Sequence, residues 1–189
     1  MINKEYIDKI TKHYNDLHDE YKKLEDIVED GNTILHSYID NDKNLYAYSD
    51  RIRLFEVLRL ITANNYSSMS DFDLINRAIH FIAIQYEMLL RLRDYVDLHL
   101  IELRHKFEQY TNEKDKNETI ELRVYYENIL NIVNNTRVHL VLLVQTLVST
   151  VSLDELPKYI STWVTKYADL QQVAAELKRN KIIANGVML

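Results

Sequence analysis

Glu102 and His105 stand three residues apart in a stretch that reads as helix. That spacing sets a carboxylate and an imidazole on neighbouring turns, as helical bundles do when they hold paired iron or manganese ions. Such a centre takes a Glu from each of two helices and a Glu-x-x-His from each of two more, all projecting inward. The chain has no second Glu-x-x-His. The apolar series around the first, Leu100, Leu103 and Phe107, turns Glu102 and His105 to the outer side of their helix. The pair is expected to be solvated, and no metal or other cofactor is expected.

The other chemistry-bearing residues are sparse. His18-Asp19 is the dipeptide of helical HD-type phosphohydrolases, and the likeness ends with the dipeptide. Those enzymes also need a His further upstream and an Asp from a later helix, and His13 lies too close to His18 to serve. There is no Gly-rich phosphate loop, no G-x-S-x-G and no paired Cys/His spacing. The absence of cysteine excludes disulfides and thiolate metal sites. No catalytic residue is expected, and the protein is read as non-enzymatic. Two polar residues do fall where apolar ones belong and are candidate buried polar groups. His139 lies within the apolar run Val138–Val151, as a core-edge imidazole or a pH-responsive group. Arg93 is the only charge on the seam of its helix. It is expected to meet a carboxylate across the bundle, to snorkel out at its edge, or to anchor a partner.

The elements that position these residues follow from composition. A chain of 189 residues has two Gly and one Pro, where ordinary usage would give about 13 and 9. Tight turns depend on those residues, so nearly all of the chain is expected to be helix. Net charge is −6, and no face gathers Lys and Arg, so no nucleic acid is expected as a partner. The run Val138–Val151 has nine Val or Leu among fourteen residues and no charge. It is shorter than the roughly 20 residues a bilayer requires, so no membrane is expected and the run is read as the surrounded centre of a bundle. The N-terminus is amphipathic and carries Asp and Glu, unlike a signal peptide. A cytoplasmic or intravirion location is expected, and heavy use of Leu, Ile, Lys, Asn and Tyr points to an AT-rich viral or phage genome.

Along the chain, Ile7, Ile10, Tyr14, Leu17, Tyr21, Leu24 and Val28 form a strict heptad seam on a first helix from about Asn3. Asp30-Gly31-Asn32 is one place for it to end; Leu35 and Tyr38 keep its register, and residues 40–44 are the firmer break. A second helix is expected over about 45–64 and a loop over 64–68. Ser70-Asp71-Phe72-Asp73 starts a third helix that runs to Tyr110. The polar stretch 111–118 reads as a turn, and a fourth helix follows over about 119–150. Ser152–Glu155 reads as a capping box, with Pro157 in the first turn of a fifth helix running to about Ala184 and closed by Asn185-Gly186.

These readings give an all-α fold: an elongated antiparallel bundle of about five helices with coiled-coil packing. Residues 1–189 form one domain, with 1–43 a peripheral N-terminal helix and 44–189 the core bundle. The narrow first seam must be buried against something and is the candidate interface, to a protein partner or to a second copy of the chain in a homo-oligomer such as a dimer. The expected function is a non-enzymatic interaction or structural role: a virion component, an assembly factor or an inhibitor of a host protein. The alternatives are a membrane-active bundle that releases Val138–Val151, and a nucleic-acid-associated protein.

Overall fold

The computed structural model of the protein describes residues 3–29, 48–63, 70–149 and 151–184. Among the described residues six α-helices follow in order: α1 Lys4–Glu29, α2 Tyr48–Ala63, α3 Asp71–Gln109, α4 Glu113–Leu147, α5 Lys158–Lys166 and α6 Gln171–Ala184. Single 3-10 turns at Leu153–Glu155 and Ala168–Leu170 precede α5 and α6, and among the described residues there is no strand. The expected breaks at 30–32 and 40–44, the register residues Leu35 and Tyr38, the loop at 64–68 and the Asn185-Gly186 cap lie outside the described residues.

The first four helices close a ring. α1 packs on α2 and α4, α2 on α3, and α3 on α4. Neighbours are antiparallel. Tyr14 meets Arg59 while Glu25 meets Arg51. Tyr6 donates to the Leu147 carbonyl while Tyr125 donates to that of Ile27. The Arg137 guanidinium lies over the Tyr86 ring while His99 stacks on Tyr126. The result is an up-down-up-down bundle, flanked by α5 against α3 and by α6 against α4 and α5. One apolar cluster runs from Tyr6 and Ile10 through Ile82 and Leu143 to Trp163 and Leu177.

α1 is a wall of this bundle and not a peripheral arm. Its single apolar stripe suffices because α2 and α4 converge on it from one side, and Tyr21 crosses the core to donate to Gln85 on α3 at 2.7 Å. The seam is therefore buried within the chain. α3 begins as read: the Ser70 hydroxyl accepts from the Asp73 amide at 3.1 Å, with Asp71 and Asp73 beside the positive helix end. α4 begins six residues earlier than expected. The Asn112 side chain accepts from the Asp115 amide at 2.8 Å, and Glu113 and Asp115 occupy the first turn, so the polar stretch is mostly a capped helix start.

Two further expectations change. The run Val138–Val151 is not surrounded: Leu140, Leu143, Val144 and Leu147 are fully buried, but Val138 is 57% exposed and Leu142 39%. α4 is covered by α1, α3 and α6, which leaves one outward face, and Val138 and Leu142 sit one turn apart on it. The fifth helix is two helices. Tyr167 is extended (φ −111°, ψ 142°) and separates α5 from the 3-10 turn that leads into α6. Hydrogen bonds from Tyr167 to Glu87, and from Tyr86 and Arg137 to Asp169, offset the helical bonds lost there.

Candidate partner-docking groove

The residues singled out in the sequence do not converge. Ile10, Leu17, Tyr21 and Leu24 are core, Ile7 and Tyr14 are half-buried, and the side chain of Val28 lies outside the described residues. Burial inside their own chain takes Ile10, Leu17, Tyr21 and Leu24 out of reach of a partner. Arg93 is not a buried cation: its side chain is 34% exposed and pairs with its neighbour Asp94 at 3.2 Å. It also lies close enough to Asp169, in the turn after α5, to help lower that carboxyl's titration. His139 is half-buried, and its Nδ1 is shut from solvent without a partner. It lies close enough to His13 to bear on that residue's titration. Burial, the larger cause, holds the His13 imidazole below its ordinary range, and its Nε2 shares a 3.0 Å hydrogen bond with the Thr146 hydroxyl. Glu102 and His105 are both exposed, and Glu102 turns to His99 at 3.4 Å.

A site does form where α5 lies against α3. His80, Ala83, Ile84, Glu87, Met88 and Arg91 line one wall over three turns of α3, and Tyr159 and Trp163 line the other from α5, enclosing about 390 Å³. The Tyr159 hydroxyl and His80 Nδ1 share a 2.9 Å hydrogen bond at one end. Trp163 packs edge-on to Tyr86 at 5.6 Å in the middle, and Arg91 marks the far end. The Trp163 indole N–H has no acceptor among the described residues, so packing alone holds the ring. The larger cleft between α1 and α2, about 520 Å³, is more polar, and its walls are already paired: Arg59 donates to the Tyr14 hydroxyl, and Arg51 lies 3.8 Å from Glu25.

Beneath the groove, a polar clamp fixes the C-terminal part of the chain to α3 and α4. Asp169 accepts from Arg137 on α4 and from the Tyr86 hydroxyl on α3 at 2.9 Å. The hydrogen bonds from Arg137 and then Tyr86 hold the Asp169 carboxyl below the usual carboxylate range. The Tyr86 phenol is pushed up to about 12, first by burial and then by its bond to Asp169. Tyr167 donates to both oxygens of Glu87 at 2.7 and 2.8 Å, and Lys166 approaches the same carboxylate at 3.9 Å. These groups satisfy one another and position α5.

Sequence reading missed this groove because its floor lies off the helix seams. Ile84 and Met88 alternate with the seam residues Ile82, Tyr86 and Leu89 and form a second apolar stripe on the same helix. That stripe was the available signal. The chain matches no known family model, no curated protein and no solved structure.

Proposed function

We propose that the protein is a non-enzymatic interaction module that seats a partner protein in the α3–α5 groove. The observation that carries this reading is the second apolar stripe of α3. Ile84 and Met88 stay outside the main apolar cluster and line, with Trp163, the groove between α3 and α5; Ile84 is half-buried, and Met88 and Trp163 are buried at its base. Apolar grooves with an aromatic wall suit partner anchors, since aromatic rings contribute much area at little entropic cost. The engagement of the polar clamp in holding helices together supports a role without chemistry. Residue usage supports a viral or phage source, with a virion component or a host protein as the partner.

The test places a photo-activated benzophenone side chain at Ile84 and, in a separate protein, at exposed Glu121, in cells that make the protein. A discrete protein adduct from position 84 and not from 121 is expected. No adduct from 84, or the same adducts from both, would overturn the reading.

Self-association is a second reading, and one observation favours it. Leu98 and Ile101, 63% and 52% exposed, lie one turn apart on the outward side of α3. Sedimentation equilibrium on Leu98→Glu/Ile101→Glu decides it: a lighter species than the native protein supports it, and an unchanged mass removes it.

A further inference from the structure

From the charges at the two ends of the groove, we infer that the partner segment seated there is an acidic amphipathic helix; this rests on the groove being the docking surface. Arg77, His80, Ile84, Met88 and Arg91 recur at helical spacing and form one stripe on α3. At 1.5 Å per residue, the two arginines stand about 21 Å apart along it, one turn beyond the groove at one end and at its mouth at the other. Both are exposed, and neither forms an ion pair among the described residues. Two exposed guanidiniums thus flank an apolar floor on a chain of net charge −6.

The carboxylate on this floor does not oppose an anionic partner. Glu87 is held by the Tyr167 hydroxyl and faced by Lys166. The groove is three turns long and open along its rim, where Tyr159 is 55% exposed. That shape takes one face of a helix, with apolar anchors at i, i+4 and i+7, better than it encloses a small ligand. Carboxylates at the two ends of such a helix would reach Arg77 and Arg91, and bidentate pairing with arginine fixes its register.

Trp163 is the only tryptophan and lines the groove, so its emission reports occupancy directly. The probe is a synthetic helix of about 18 residues, long enough for the stripe. It carries leucines at i, i+4 and i+7 and glutamates at both ends; a second peptide carries lysines in place of the glutamates. The glutamate peptide is expected to shift the Trp163 emission and to bind at least about tenfold tighter than the lysine peptide. Arg77→Glu/Arg91→Glu, with both positions exposed and an unchanged thermal midpoint, is expected to reverse that order. Equal binding of the two peptides, lost in Ile84→Asp, would overturn the acidic-helix inference and leave the groove reading standing. Binding of neither peptide would overturn both. A shift produced by phosphatidylserine vesicles and by neither peptide would replace the helix with an anionic lipid surface and overturn the inference.

Discussion

Asp169 sits on a single 3-10 turn, yet its two bonds tie that turn to both long helices of the bundle. Its carboxyl is held below the ordinary range near 3.8 by Arg137 and Tyr86. The stability it contributes is therefore fully present above that value and is lost as pH falls through the lower value of the folded state. Asp169→Asn is expected to cost about 1–2 kcal/mol at neutral pH, because the carboxylate is partly exposed and water screens the pair. It should also flatten the acid limb of stability below about pH 4. His13 acts in a different window. Burial lowers its folded-state value from the ordinary one near 6.5, so the unfolded chain binds more protons as pH drops below about 6.5, and stability falls between there and the lower folded-state value. His13→Gln should remove that slope and leave the limb near pH 4 unchanged. Urea denaturation of both variants across pH separates the two windows, and one shared window would contradict the assignment.

Among the elements, α4 best shows what sequence patterning conveys and what it omits. Leu140, Leu143 and Leu147 follow a helical period and are buried as that period requires. Val138 and Leu142 are as apolar as their neighbours, but they lie on a face of α4 that none of the described helices covers. Leu143→Ala should cost about 2–5 kcal/mol as a buried truncation, and Val138→Ala no more than about 0.5 kcal/mol. Comparable losses in chemical denaturation would mean that the outward face of α4 is covered. Helix starts were legible where a local cap exists, as at Ser70. At Asn112 the cap was present, but the polar run after it read as a turn. The break at Tyr167 had no local sign, neither Gly nor Pro. It depends on partners such as Glu87 and Arg137, far away in sequence, and so does the groove that α5 completes.

Over the whole molecule, the all-α bundle was legible because scarce Gly and Pro, with long heptad series, leave few alternatives. The direction in which the α1 seam faces was not, because a narrow stripe is the same whether it meets its own chain or another. The structure assigns it to the chain's own core, with Ile10 and Leu17 fully buried. On the function proposed above, a partner would seat in the α3–α5 groove and not on the first helix. Leu17→Glu/Leu24→Glu tests this assignment, with mass read by light scattering and helicity by circular dichroism. Two carboxylates forced into the core cost several kcal/mol each. Domain stability is about 5–15 kcal/mol, so the variant should lose most of its helical signal. A variant that keeps its helices and has a lower mass than the native protein would place the seam between chains and contradict the account.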